Sequence, residues 1–272
     1  MHITLALEGS ETWITVSGAD CPPDTSSLGR WVAIEGDRPI AGIEARRRPD
    51  GRVFVSLHGS DRRAHPLLIE RVDQSIAGPL HAVCRDGHPP DRQTLIDLGF
   101  EETLIEDLFT IDFRRAMVAF SRAWVPSGHS IISASAVDTD RLFELDNRLR
   151  RLVPGTEAWA GDREMFEAEI AEAPPFDPDG YLVMRDERSG DLVGLIRFWR
   201  NASGPRLGML GVLPTRRRTT LGPALLEQGL EAASTWGSDQ FVTETSRTNR
   251  HVHRRLIALG ADLTGSLAIL KR

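Results

Sequence analysis

The stretch Val212–Leu226, VLPTRRRTTLGPALL, constrains this chain more than any other. The apolar run Leu207–Leu213 reads as a strand and stops at Pro214. Three arginines and a Thr-Thr-Leu-Gly turn follow, and a helix begins behind them. The first N–H groups of a helix have no intrahelical partner, and the macrodipole adds about half a positive charge there. A strand that delivers a basic turn onto such an end makes an anion site, well suited to a phosphate or pyrophosphate. Arg216, Arg217 and Arg218 stand alongside it. The plain alternative is a helix start flanked by solvated arginines.

The order of these residues resembles motif A of the GNAT superfamily, the acyl-CoA-dependent N-acetyltransferases. The match is carried by Val212-x-Pro214-x-x-Arg217-x-x-x-x-Gly222-x-x-Leu225. Against the usual core Arg/Gln-x-x-Gly-x-Gly/Ala, Arg217 takes the first place, Thr220 replaces the first glycine and Gly222 fills the last. A second match lies downstream. Phe241–Ser246 (FVTETS) reads as the next strand and Asn249–Ala261 (NRHVHRRLIALGA) as the helix after it. The superfamily's Asn…Leu-Gly-Phe signature stands here as Asn249 and Leu259-Gly260-Ala261. Two motifs in order are more specific than one, and together they cover about Ser130 to Arg272.

At 272 residues and 40% apolar content, the chain has room for one large domain or two of ordinary size. No apolar run reaches the ~20 residues that span a bilayer, and the N-terminus has no signal-peptide pattern. A cytoplasmic protein without membrane attachment is expected. The net charge of −6 argues against a general nucleic-acid binder. Cys21 and Cys84 make neither a disulfide framework nor a metal-ligand spacing, so no metal is expected. Lys271 is the single lysine; the cations are otherwise arginines, which suit bidentate phosphate contacts.

The first 120 residues repeat the plan of the second half in worn form. Strands are expected at Trp31–Glu35, Ile40–Arg46 and Arg52–Leu57, with the turns Gly36-Asp37 and Pro49-Asp50-Gly51 between them. A helix from about Ala64 to Ser75, a strand at Leu80–Cys84 and a helix at Asp91–Leu98 follow. That helix ends in Leu98-Gly99-Phe100, and Thr103–Phe113 supplies the last strand. Residues 58–63 (HGSDRR) offer no Val-x-Pro lead-in and no Arg-x-x-Gly-x-Gly core. The expected fold class is therefore α/β (α+β), with two tandem GNAT-like domains similar to the arrangement in mycothiol synthase-like proteins. Each would be a mixed, mostly antiparallel sheet flanked by helices. Residues 1–120 form the degenerate domain, 121–129 the linker and 130–272 the domain with the acyl-CoA site. The second domain should open with a strand at Ile131–Val137. A helix capped by Asp138 or Thr139 should follow, burying Leu142, Leu145, Leu149 and Leu152 on one face. A hairpin is expected at Tyr181–Met184 and Leu192–Trp199.

The resemblance implies a working site in the second half. The strand before motif A and the strand after it should splay apart, and the pantetheine arm of acetyl-CoA, or of another acyl-CoA, should pair with backbone exposed at Leu210 and Val212. Gly208 and Gly211 suit a close approach or mark a bulge. Backbone N–H groups of Arg217, Arg218, Thr219, Thr220, Leu221 and Gly222 should cradle the pyrophosphate, with Arg216 and Arg218 at the outer phosphates or in solvent. Asn249 should contact the pantetheine arm, cap its helix, or both. Thr220 must avoid positive φ, and Pro223 removes one donor from the cradle.

The catalytic positions depart from the superfamily's pattern. Many relatives place a glutamate at the start of the strand before motif A, where this chain has Arg206 or Leu207. Many supply a tyrosine seven residues after the asparagine, where Leu256 stands. Glu244 and Glu167 are the replacements considered for activating an amine, and His251 or His253 for supplying a proton. The alternative for Glu244 is an ion pair with a nearby arginine such as Arg247. The acidic run Asp162–Asp179, in which Glu164 and Glu167 share a helix face, would suit a cationic amine or be an ordinary solvated face. Trp159 is a candidate for the acceptor pocket and Trp199 for the core. The expected activity is acyl transfer from acetyl-CoA to a primary amine of a small molecule by direct attack on the thioester. The rival is a GNAT fold that binds CoA or acyl-CoA without catalysis. An aminoacyl-tRNA donor fits the acidic balance less well.

Overall fold

The structure, a computed structural model, describes residues 1–5, 11–17, 26–59, 61–88, 90–157, 159–171, 176–216 and 219–272. Cys21, residues 172–175 of the acidic run, Arg217 and Arg218 lie outside the described residues. The chain forms two compact units. One comprises Met1–Ile105 with Ser266–Arg272, and the other Glu106–Gly265.

In unit one, β1 (His2–Leu5) and α1 (Glu11–Ser17) precede the hairpin β2 (Ser27–Glu35) and β3 (Arg38–Arg47). The hairpin turns at Gly36, whose φ of 63° is the left-handed value that favours glycine. Then come β4 (Val53–His58), α2 (His65–Ser75), β5 (Leu80–Arg85) and α3 (Arg92–Asp97). Asp91 caps α3 by accepting from Thr94 N at 2.8 Å. Next, β6 (Glu101–Asp112) leads from unit one into unit two.

Unit two continues with α4 (Phe113–Phe120), which the sequence reading does not foresee. Asp112 ends the strand and caps that helix, accepting from Arg115 N at 2.9 Å. Next is β7 (His129–Ser133), shorter than the strand expected to Val137. Ser133 Oγ accepts from Ser135 N and turns the chain into a short 3₁₀ segment, Ala134–Ala136. The chain then runs through α5 (Thr139–Arg150), α6 (Arg163–Ala171), β8 (Tyr181–Asp186), β9 (Leu192–Asn201) and β10 (Gly204–Val212). It closes with α7 (Leu221–Ser234), β11 (Gln240–Ser246), α8 (Arg250–Ala258) and β12 (Asp262–Lys271). Asp138 caps α5 as expected, accepting from Asp140 N and Arg141 N. Leu142, Leu145 and Leu149 are buried, whereas Leu152 lies past the helix end and is exposed.

The strand order is β1-β2-β3-β4-β5-β12 in unit one and β6-β11-β10-β9-β8-β7 in unit two. Each unit has one parallel pair bridged by a helix, β4–β5 across α2 and β10–β11 across α7; its other registered pairs are antiparallel. The mixed, mostly antiparallel tandem design expected from the sequence is the observed one. The units divide inside β6 and β12 rather than at residues 121–129. Residues 267–271 pair with β5 in unit one, while residues 106–112 pair with β11 in unit two.

Packing separates two faces of the unit-two sheet. Phe109, Ile196, Phe198 and Phe241 meet Leu221, Leu225 and Leu230 of α7 and Leu256 of α8. On the opposite face Tyr181, Val183, Leu195 and Met209 meet Leu142, Leu145 and Leu149 of α5 and Phe166 of α6. In unit one, Leu68, Ile69 and Val72 of α2 cover Ile43, Val55, Ala82 and Leu270. Each such fully buried side chain contributes about 1.5–3 kcal/mol of transfer free energy. No described helix is long and apolar enough to cross a membrane.

Candidate functional site

The parallel register of β10 and β11 runs only through Arg206↔Val242 and Leu207↔Thr243 among the described residues. Thr243 Oγ1 donates to Leu207 O at 3.0 Å and closes the vertex. Beyond it, β10 stays with β9 through Val212↔Gly194, and β11 stays with β6 through Ser246↔Glu106. The strands therefore part as the resemblance implies. The cause is a bulge between Leu207 and Met209, which gives β10 one residue more than β9. Gly208 is that residue. A Cβ there would sit 2.6 Å from Trp199 Nε1, so any larger residue would have to displace the indole. Gly211 instead packs close to Leu149 of α5. Past the bulge, Leu210 is 37% exposed and Val212 half-buried.

At the open end of β10 the chain turns through Pro214–Arg216 and enters α7. Thr220, with φ −81° and ψ 0°, is the N-cap residue but makes no side-chain capping bond. Thr219 Oγ1 donates to Arg216 O at 2.6 Å, and Leu221 N reaches Thr219 Oγ1 at 3.4 Å. The N-terminus of this fourteen-residue helix, with its dipole, follows the open end of β10. At Gly222, an added Cβ would touch only Val212 Cγ2, at an ordinary 3.6 Å. Arg216 is engaged elsewhere. Its Nη2 lies 2.6 Å from Asp186 Oδ2 at the end of β8. Asp186 also accepts from Arg188 N and Ser189 N, and these backbone bonds hold its carboxyl below the usual carboxylate range. Arg216 therefore pins the turn to β8. Sequence reasoning did not pick out Asp186, although its place before Glu187-Arg188-Ser189-Gly190 is the signature of an Asx turn.

Among the described residues of unit one, the turn before α2 carries a carboxylate of its own. Before α2, Asp61 accepts from Arg63 N at 3.1 Å and pairs with the Arg63 guanidinium at 2.6 Å.

The candidate acid–base groups fall on different faces. Arg206 is paired across β9 with Trp199, on the face of Leu195, Arg197 and Met209 that α5 covers. Glu244, two residues beyond Val242, shares that face. Arg206 and Glu244 form an ion pair across the vertex, with side chains 34% and 21% exposed. The partner of Glu244 is therefore Arg206 rather than Arg247. Arg247 pairs with Asp107 of β6 at 2.6 Å, and His253 Nε2 lies 3.0 Å from the same carboxylate. His253 also packs edge-on to Phe109, so it sits over β6, on the side of β11 away from the opening. His251 is exposed. Asp107 is buried, and its strand phase with Phe109 and Ile111 was the available sign of a core-facing carboxylate.

Asn249 is the N-cap of α8, its Oδ1 accepting from Val252 N at 3.4 Å. Glu167 is exposed and paired with Arg163, which also reaches Asp140. The acidic run is thus partly neutralised by its own arginine. Trp159 donates Nε1 to Asn147 Oδ1 at 2.8 Å, and Trp199 is buried as expected. Beneath the α5 face, Asp146 and Arg197 are buried 3.9 Å apart, with Arg197 4.6 Å from the Trp199 ring centroid. Among the described residues, no group of three or more His, Cys, Asp or Glu side chains is placed to hold a metal ion.

Residues 141–260 match the acetyltransferase (GNAT) family model. A mycothiol acetyltransferase of Clavibacter sepedonicus is 29% identical over 241 residues, covering 88% of this chain and 73% of that protein. A mycothiol acetyltransferase of Clavibacter michiganensis is 29% identical over 247 residues, with the same coverage of both. Among solved structures, a tandem GNAT protein from the clavulanic acid biosynthesis pathway matches with a TM-score of 0.67 and 16% identity, covering 100% of this chain and 98% of that one. A GCN5-related N-acetyltransferase from Sphaerobacter thermophilus gives a TM-score of 0.61 at 14% identity, covering 89% of this chain and 80% of that one. Joined to a sheet that parts beside the start of α7, these likenesses show an acetyltransferase (GNAT) domain match over residues 141–260 and a similarity of the whole chain to mycothiol acetyltransferases and to tandem GNAT folds.

Proposed function

We propose that unit two transfers an acetyl group from acetyl-CoA to a primary amine of a small molecule. The observation that carries this reading is the parting of β10 and β11 directly before the uncapped start of α7. Backbone between Met209 and Val212 is available to the pantetheine arm, much as a sheet edge is to a peptide. The N–H groups of Thr219, Thr220, Leu221 and Gly222 suit the pyrophosphate, with Arg217 and Arg218 beside them in sequence and Arg216 as the anchor of the turn. Asn249 supports the far lip.

The chemistry asks for little covalent help. An ammonium acceptor must first lose a proton, and Glu244, at the vertex on the α5 face, is the group to receive it. The neutral nitrogen then bonds to the thioester carbonyl carbon and the C–S bond breaks. The departing sulfur takes up the second amine proton, leaving an amide and the CoA thiol, with one proton released. Glu167 pairs with Arg163 at the surface and serves at most the outer field.

The second reading is a protein that holds acyl-CoA without transferring it. It rests on the presence of Arg206 or Leu207, and of Leu256, where relatives carry their acid–base groups. Isothermal titration with acetyl-CoA, desulfo-CoA and ATP tests both. Micromolar binding of one CoA per chain, with ATP ignored, is expected. Absence of CoA binding would overturn the proposal. Binding without thiol release on any amine would leave the second reading.

A further inference from the structure

We infer that unit two carries a ligand site separate from the opening, at the other end of the same strands, and that it takes a monoanionic aromatic acid. The site is an open cleft of about 640 Å³ between the turn that joins β9 to β10 and the turn that joins α7 to β11. That volume lies within the ~300–1,000 Å³ of small-molecule sites. The inference stands apart from the acetyl-transfer reading. Gly204, at the start of β10, lines the cleft, whereas β10 leaves β11 only after Leu207.

The sign of the guest follows from the lining. Arg200 is the one charged side chain among the lining residues. Ser203 adds an exposed hydroxyl, and the N–H groups of Gly237 and Ser238 donate to no other backbone group among the described residues. One cation with neutral donors and no carboxylate suits a guest with one negative charge. Two carboxylates stand outside the lining. Asp177 lies 3.5 Å from the Arg200 guanidinium, but the Arg200 side chain is 59% exposed, and such surface pairs are weak. Asp177 Oδ1 also accepts from Asp179 N at 3.0 Å, and a guanidinium has five N–H donors, enough for a guest beside Asp177. Asp239 follows Ser238 and is exposed to solvent. The C-terminus of α7 adds partial negative charge nearby. Its carbonyls at Glu231, Ala232 and Ala233 are already taken up by the Ser234 and Thr235 hydroxyls and the Trp236 N–H. A single guanidinium in this setting matches a carboxylate rather than a dianionic phosphate.

Trp236 selects a flat guest. Its benzo edge is seated on Gly180, where an added Cβ would meet Trp236 Cη2 at 2.5 Å, so the indole is held in place. The Arg200 guanidinium lies 5.9 Å from its ring centroid. Aromatic rings stack at centroid separations of about 4.5–7 Å. A carboxylate conjugated to a ring lies in the ring's plane, and arginine binds that plane in bidentate fashion better than lysine does. Trp236 and Arg200 thus offer a face and a fork to the two parts of one molecule.

The test is calorimetric titration of the whole protein with four matched probes: naphthalene-2-carboxylate, 2-naphthylmethanol, 2-naphthylmethylamine and the saturated decahydronaphthalene-2-carboxylate. One naphthoate per chain is expected to bind, with the alcohol and the amine weaker by about 10- to 100-fold. The saturated acid should be weaker by about 2- to 10-fold. Arg200→Gln, a change at an exposed side chain, should bring naphthoate down to the level of the alcohol, and Arg200→Lys should restore part of the gap. Trp236→Leu should erase the preference for the flat acid over the saturated one. Saturating acetyl-CoA should leave naphthoate affinity unchanged. No naphthoate binding, equal binding of all four probes, or full affinity in Arg200→Gln would overturn the inference. Displacement of naphthoate by acetyl-CoA would do the same, because the guest would then lie at the opening.

Discussion

Gly208→Ala should reveal how the opening in the sheet is held. The added methyl would lie 2.6 Å from Trp199 Nε1 and 2.7 Å from its Cδ1. The indole cannot easily retreat, being buried with the Arg197 guanidinium 4.6 Å from its ring centroid. Overpacking of this kind costs about 1–3 kcal/mol. The φ of Gly208 lies outside the left-handed region, so alanine also restricts the unfolded chain and returns about 0.4–1 kcal/mol. A net loss of about 1–2 kcal/mol should appear in urea unfolding, with the m-value unchanged. Repeating the substitution in a Trp199→Leu background removes the clash, and there alanine should be neutral or slightly stabilising. The double-mutant cycle should therefore give a coupling of about 1.5–2.5 kcal/mol, within the range for residues in contact. Acetyl-CoA affinity should fall in the single variant and recover in the double one. An equal cost in both backgrounds would refute the steric argument. Unchanged affinity in a destabilised Gly208→Ala would show that the bulge does not set the opening.

Three further outcomes are expected. Gly222→Trp fills the space beside the start of α7 and should abolish acetyl-CoA binding with little change in melting temperature; intact affinity would move the phosphate cradle elsewhere. Asp186→Asn releases Arg216 and weakens the turn before α7. The Asp186 carboxyl is held low by the N–H groups of Arg188 and Ser189, so its stabilisation is present above the ordinary carboxylate range and is lost as pH falls through the lowered folded value. The variant should thus melt lower than wild type at pH 7, and a gap that persists undiminished below the folded value would contradict this. In unit one, burial is the largest effect on His58, His65 and His81 and lowers all three. Each binds a proton more readily when unfolded, so stability should be full above about pH 6.5 and decline as pH falls toward the folded values, by at most about 1.4 kcal/mol per histidine per pH unit. His65, 4% exposed with neither ring nitrogen hydrogen-bonded, is the clearest case. Melting curves between pH 7.5 and 5.5 should be flatter for His65→Leu, and an unchanged slope would exclude it.

Legibility in the sequence followed the range of the forces involved. Pro214, the Thr-Thr-Leu-Gly turn and Asn249 announce helix starts through contacts within a few residues, and those starts are where they were expected. In β9 the strand Leu192–Trp199 was legible, but which neighbours Leu195, Arg197 and Trp199 meet on their shared face was not. Arg216 meets Asp186 thirty residues away, and Arg206 meets Glu244 thirty-eight away. No local pattern encodes such a pairing, because a surface arginine offers the same chemistry to any carboxylate. The helix Phe113–Phe120 was hidden for a related reason. The apolar alternation of β6 runs to its last residues, and only Asp112, a capping residue, marks the change of period.

The passage of β6 and β12 between units has a consequence for how the protein is born. Asp86 reaches Ser266 across 180 positions, and residues 267–271 complete the sheet of unit one beside β5. On the ribosome, the earlier unit must therefore wait with β5 uncovered until the whole of its neighbour has been synthesised. Loop closure over so long a separation is slow, and an unpaired strand edge invites association with other chains. Newly made protein should depend on holding chaperones for as long as translation between the two segments lasts.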